Sequence, residues 1–217
     1  MIVRLAFGAE GALRAALKGH ILVVVDTLRA STTVTTILEN GGVGVVPALT
    51  IEEAVGKARE LLRTRGVGVL LAGERRGLKI PGFDFGNSPL EFTRDVVEGK
   101  IVVLTTTNFT QAVCQAVGAP AVFAGCLRNA SAVAEAAGSE ATKTGRKLTV
   151  VHVGRRGEFS PEDYVTACVI KCFVEGREPP DYKELASIGL WRDVEYCSQL
   201  NASSVVPVIK GGMFVEY

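Results

Sequence analysis

A three-layer αβα fold, with helices on both faces of a mixed, mostly parallel sheet and a β-hairpin at the carboxyl terminus, is the fold class this sequence predicts. Three observations carry it. Short runs rich in Val, Ile and Leu alternate with helical patterns along most of the chain. The runs ILVVV (Ile21 to Val25), IVVL (Ile101 to Leu104) and LTVVHV (Leu148 to Val153) are nearly continuously apolar, as strands buried on both faces are. Finally, VVPVIKGGMFVEY sets Gly211 and Gly212 between two strand-like runs, so an antiparallel pair joins the sheet.

Taken in order, strands are expected near residues 2–6, 21–25, 43–47, 67–72, 101–104, 121–124 and 148–153, with helices between them. Thr50 with Glu53, Ser88 with Glu91 and Ser160 with Asp163 have the spacing of capping boxes, and Pro161 falls at the first helical position. Gly41, Gly99, Gly118 and Gly176 stand where helices should stop. The longest connection, Gly73 to Pro89, is expected to be an ordered loop at the sheet's edge. No repeat or linker divides the 217 residues, so one domain over 1–217 is expected.

Composition removes some function classes. Lys and Arg number 24 against 23 Asp and Glu, so no global field draws the chain to nucleic acid or an anionic membrane. No apolar run approaches the roughly 20 residues of a membrane span, and no leader pattern opens the chain, so a cytoplasmic location is expected. The five cysteines form no CxxC pair; Cys168 and Cys172, four apart on a helical pattern, read as buried thiols. The sequons at Asn108, Asn129 and Asn201 carry no weight without a secretory signal. The sequence leaves a homodimer open.

Strand ends carry the polar residues, and in open α/β sheets ligands bind at the carboxyl ends of strands. Asp26 follows ILVVV with Arg29, Ser31 and Thr32 close behind; such a carboxylate either handles protons or metal, or caps a helix and pairs with Arg29. Thr105, Thr106, Thr107, Asn108 and Thr110 span a strand end and a helix start, where hydroxyls and free amides can cradle a phosphate. Arg155, Arg156 and Glu158 occupy another strand-to-helix loop. There Asp163 has a sufficient explanation as a cap partner, which leaves Glu158 as the catalytic candidate; His152 reads as structural. Glu74, Arg75 and Lys79 open the long loop, Asn87 and Ser88 close it, and Arg76 reads as surface charge. No Walker A, GxSxG, HExxH or GxGxxG pattern is present, nor the Cys-x5-Arg, DxDx or Arg-His-Gly signatures of common phosphatases.

Together, VVVDTLRASTTV, LLAGERRGLKIPGFDFGNSPLEFT, GKIVVLTTTNFTQAV and GEFSPED resemble the 2-phosphosulfolactate phosphatase family of coenzyme M biosynthesis, in order and from about Val23 to Asp163. The resemblance implies a Mg²⁺-dependent phosphatase that releases phosphate from (R)-2-phospho-3-sulfolactate, with a three-layer fold unlike the common phosphatases. The family's motif positions fall here on Asp26, Arg29, Ser31, Thr32, Glu74, Lys79, Asp84, Asn87, Ser88, Thr106, Thr107, Asn108, Thr110, Gly157, Glu158 and Asp163. One departure stands out: where the family has Gly after TTTN this chain has Phe109, which bears on the cradle and hence on the substrate.

The residues themselves agree with a small polyanionic phosphate ester. Arg29, Arg75, Lys79, Arg155 and Arg156 supply cations from three loops, and Ser31, Asn87, Thr106, Thr107, Asn108 and Thr110 supply neutral donors. Asp26, Glu74 and Glu158 are the expected Mg²⁺ ligands, with Asp26 and Glu158 also expected in catalysis. Two alternatives keep the site: another phosphorylated 2-hydroxy acid as substrate, or a non-catalytic sensor of anionic metabolites.

Overall fold

The computed structural model describes residues 2–180 and 191–217. The first half runs β1 (Val3–Phe7), α1 (Gly8–Leu17), β2 (Ile21–Val25), α2 (Ala30–Glu39), β3 (Gly44–Pro47), α3 (Ile51–Arg65), β4 (Val69–Arg75) and β5 (Leu78–Lys79). Then come α4 (Arg94–Val97), β6 (Ile101–Thr105), α5 (Phe109–Gln115), β7 (Val122–Gly125), α6 (Ala130–Thr144), β8 (Leu148–His152), α7 (Pro161–Glu175), α8 (Trp191–Cys197), β9 (Pro207–Lys210) and β10 (Met213–Glu216). The α/β class expected from the sequence is the one observed, a mixed, mostly parallel sheet with helices on both faces. No helix among the described residues is long and apolar enough to cross a membrane.

The sheet has the order β1-β8-β2-β7-β9-β10-β3-β6-β4-β5. It consists of two parallel blocks, β1-β8-β2-β7 and β3-β6-β4, joined by the carboxyl-terminal hairpin. That hairpin forms as expected and lies at the centre of the sheet, β9 antiparallel to β7 and β10 antiparallel to β3. Three antiparallel junctions leave the second block running against the first within the ladder. Strand twist of about 20–25° per step accumulates roughly 100–125° over the five steps from β2 to β6, which swings the carboxyl ends of both blocks together.

Alternation along β2 sorts the core. Leu22 and Val24 pack with α1, α2 and α5 in a cluster that also takes Val45, Val102 and Leu104 from the second block. Ile21, Val23 and Val25 face α6 and α7, while Val46, Ile101 and Val103 face α3. Each such side chain contributes roughly 1.5–3 kcal/mol when fully buried. One face thus has a single core that spans both blocks and the other face has two, as a sheet curled around α2 and α5 requires.

Helix α2 is buried from Ala30 to Leu38 despite five hydroxyl residues. Ser31, Thr32, Thr33, Thr35 and Thr36 each donate to a backbone carbonyl four or five residues earlier, so none is left unsatisfied. Elsewhere the expected caps are mixed. Thr50 accepts from the Glu53 amide at 3.1 Å, and Ser88 with Glu91 forms a reciprocal capping box. Ser160 makes no side-chain cap, which corrects the reading of Asp163 as its partner: Asp163 is drawn to other amides instead. The long loop is ordered at the sheet's edge, opening with β5 against β4 and burying Ile80 and Phe83.

Candidate active site

The ends of β2, β4, β6 and β8 open onto one cavity of about 560 Å³. Its floor carries buried Asp26, Glu74, Asn87, Glu162 and Asp163, and its rim carries exposed Arg76, Arg155 and Arg156. Gly73 makes the closest approach beneath it; a Cβ there would sit 2.2 Å from the Thr105 carbonyl oxygen.

The floor concentrates negative charge. Asp26 is pushed up to about 7, by burial first and then by the Glu74 and Glu162 carboxylates, against which the Ala30 amide and Arg29 act. Asp163 is raised well above the usual carboxylate range, by burial and then by Asp26. Its oxygens nonetheless accept from the Thr27 amide at 2.7 Å and the Gly154 amide at 3.0 Å, tying the end of β2 to the end of β8. Glu74 is likewise engaged on both oxygens, by the Thr107 amide and the Gly77 amide, each at 2.7 Å. Asp26 keeps a freer carboxylate, accepting only a long 3.3 Å bond from the Ala30 amide among the described residues. Glu162 lines the cavity with no side-chain hydrogen bond among the described residues.

Two buried polar atoms of the cavity residues are unpartnered, Asn87 Oδ1 and Thr107 Oγ1. An orphan amide oxygen beside crowded carboxylates is a set of hard oxygen donors, which fits Mg²⁺ completed by water and substrate oxygens. Among the described residues no three of His, Cys, Asp and Glu converge as a ligand set, so the fit is to an ion held by one or two carboxylates.

The structure sorts the expected site residues. Asp26, Arg29, Glu74, Asn87, Thr107, Asn108 and Arg155 line the cavity. Ser31, Thr106 and Thr110 do not: Ser31 Oγ bonds the Asp26 backbone, while Thr106 and Thr110 exchange hydrogen bonds that start α5. Lys79 is exposed on β5, its Nζ 3.4 Å from the Asp84 carbonyl oxygen. Glu158 is exposed outside the lining, because its backbone pairs with Arg155 across a tight turn. The metal set Asp26, Glu74 and Glu158 is therefore not assembled; Asp26 alone of the three keeps a free face toward the cavity. His152 is buried among Phe7, Phe159 and Tyr164, its Nδ1 unpartnered, and is lowered by burial.

Two residues of the site, Asp193 and Glu162, lay outside the sequence reading, and a third, Arg76, was read as surface charge but stands at the cavity rim. Asp193 on α8 accepts from Arg29 Nη1 at 2.7 Å and from Ser88 Oγ at 2.6 Å, fixing the guanidinium at the cavity wall; no motif surrounds it. Glu162 had a signal in the acidic pair after Pro161, and Arg76 had one in the Arg-Arg-Gly triplet it shares with Arg156. Phe109, the departure from the family pattern, turns away from the cavity. It is fully buried, stacks on Phe214 at 5.9 Å and leaves the cradle untouched.

Residues 9–182 match the profile of the family described as 2-phosphosulpholactate phosphatase. A probable 2-phosphosulfolactate phosphatase of Clostridium acetobutylicum is 34% identical, with 98% of this chain and 99% of the relative aligned. Proteins of the same description are 38% identical in Clostridium perfringens strain SM101 and 35% in Thermotoga petrophila, covering 91% and 89% of this chain and 89% and 90% of those relatives. Matched along most of its length, this chain, with its carboxylate-floored cavity at four strand ends, belongs to the 2-phosphosulfolactate phosphatase family.

Proposed function

We propose that this protein hydrolyses (R)-2-phospho-3-sulfolactate to sulfolactate and inorganic phosphate, with Mg²⁺ as cofactor, as a cytoplasmic enzyme of coenzyme M formation. The observation that carries the reading is the cavity itself, with a floor of crowded carboxylates and unpartnered oxygens under a wall and rim of arginines. Asp26 and Asn87 are the residues that would hold Mg²⁺, which when bound neutralises charge on the phosphoryl oxygens.

The chain's own residues divide the remaining work. Arg29, held by Asp193, and Arg155 bind and orient the phosphate oxygens. Thr107 Oγ1 donates to the same group, and Glu74 keeps the Thr107 loop in place. Water attacks phosphorus as the bond from phosphorus to the C2 oxygen breaks. The water proton passes to a Glu162 carboxylate oxygen, and the departing alkoxide, on the opposite side of phosphorus, takes a proton from water in the open cavity. Glu162 is preferred over Glu158 for this step because it faces the cavity.

Burial of Phe109 in the core supports retaining the family's substrate over another phosphorylated 2-hydroxy acid. The test is phosphate release from racemic 2-phosphosulfolactate, with and without Mg²⁺, beside 2-phosphoglycerate and phosphoenolpyruvate. Mg²⁺-dependent release favouring phosphosulfolactate is expected. Release only from the controls would reject the named substrate, and no release from any would favour a sensor.

A further inference from the structure

Two tight turns frame the cavity, and they are built alike. Arg76-Gly77 links β4 to β5, and Arg156-Gly157 closes the bridge between Arg155 and Glu158. Both pairs have left-handed backbone, φ +58 and +85 in the first and +55 and +80 in the second. That is the pattern of a two-residue type I′ turn, whose first position ordinarily takes Asn, Asp or Gly. An arginine there has a Cβ crowded against its own backbone, a steric cost that Asn or Gly largely avoids. Among the described residues the non-glycine positions with such backbone are Arg76, Arg156 and Asn201, and only the two arginines line the cavity.

The two turns are also tied to the loop between them. Glu74 receives the Gly77 amide on one oxygen and the Thr107 amide on the other. Asn108 Oδ1 accepts from the Arg156 amide at 3.1 Å. The first turn, the Thr107-Asn108 loop and the second turn thus form one hydrogen-bonded arc. Both arginines are exposed at the rim while the carboxylates and Asn87 lie below, and neither has a carboxylate partner among the described residues. A strained position occupied twice by the same cation, rigidly mounted and left unpaired, is organised for a ligand and not for the fold.

Resting on the phosphatase reading above, we infer that Arg76 and Arg156 are specificity residues that grip the sulfonate end of the substrate while its phosphate lies at the floor. The site then selects phosphate esters that carry a second strong anion, and the reacting phosphate depends on other residues.

The test uses the full chain with Arg76→Asn, Arg156→Asn and the double variant, because Asn suits the turn and keeps the fold. Hydrolysis of 2-phospho-3-sulfolactate is compared with that of 2-phospholactate, which lacks the sulfonate. The ratio of kcat/KM values is expected to fall about tenfold or more per arginine, through KM, with Tm unchanged or raised. An unchanged ratio, or equal losses on both esters with a lowered Tm, would overturn the assignment. Calorimetric binding of 3-sulfolactate and lactate separates this from failure of the hydrolysis reading. Even if neither ester is cleaved, weaker 3-sulfolactate binding in the double variant, with lactate binding unaltered, supports the clamp, and equal 3-sulfolactate binding to both proteins rejects it.

Discussion

Asp163 joins the ends of β2 and β8 through two buried amides, and burial together with the Asp26 carboxylate holds it well above the usual carboxylate range. Replacing it by Ala strands both amides, and a buried unsatisfied group costs about 1–3 kcal/mol. Asp163→Ala is therefore expected to lose about 3 kcal/mol in urea denaturation; a loss under ~1 kcal/mol would deny it this anchoring role. Neighbouring acids should separate by function. Glu162→Gln is expected to lower kcat by about 100-fold, the scale of a lost general base, and Glu158→Gln to leave it within about twofold. Steady-state kinetics on both variants checks the pair, and the reverse order would restore Glu158. The sequence put Glu158 ahead of Asp163 and passed over Glu162, because spacing shows which side chains share a loop and not which of them faces inward. The tight turn that exposes Glu158 and the two amides that hold Asp163 are tertiary facts.

At the scale of elements, α8 reaches the site through Asp193, whose carboxylate holds both Arg29 and Ser88. A guanidinium so fixed binds phosphate without first losing its own freedom. Asp193→Asn should raise KM by about tenfold, with kcat changed far less, as a lost charge-assisted contact that orients a binding group predicts. An unchanged KM would show that Arg29 needs no such support. Helix α5 makes a different point through Phe109, which anchors the helix in the core against Phe214. Phe109→Ala should cost about 3–5 kcal/mol in urea denaturation without altering the preference among phosphate esters. A shifted preference would return Phe109 to the cradle. Element types were legible because apolar period and caps are local signals, as with Ile21 to Val25 and Thr50. The burial of α2 was less so, since its five hydroxyl residues look polar in sequence and are silenced only by bonds to their own helix and the turn before it.

Over the whole molecule, the hairpin β9-β10 decides whether a site exists, because it sets the two parallel blocks against one another and twist then brings their ends together. Strand positions can be read from sequence, but the insertion of the last strands between β7 and β3 cannot, since it rests on pairs as distant as Phe123 with Val208 and Val45 with Phe214. The assembled floor carries a signature in pH. Asp26 stands at about 7 in the folded chain against 3.8 ordinarily, so between those values the folded state binds more protons than the unfolded one. Stability from this group is fully present below pH 3.8 and is lost as pH rises through about 7. Metal-free protein is thus expected to show a falling Tm from about pH 5 to 8, with Asp26→Asn flattening the fall and Mg²⁺ opposing it most at the upper end. A Tm that rises over this range in wild type and variant alike would contradict the crowding of the floor.

If Asp26 anchors the phosphatase site, its loss should show in phosphate release from 2-phosphosulfolactate, compared between wild type and Asp26→Asn at saturating Mg²⁺. The expected result is a fall in kcat of about 1,000-fold or more, in a variant whose Tm at pH 8 is equal to or above that of wild type. Turnover retained within tenfold, in a folded Asp26→Asn protein, would contradict it.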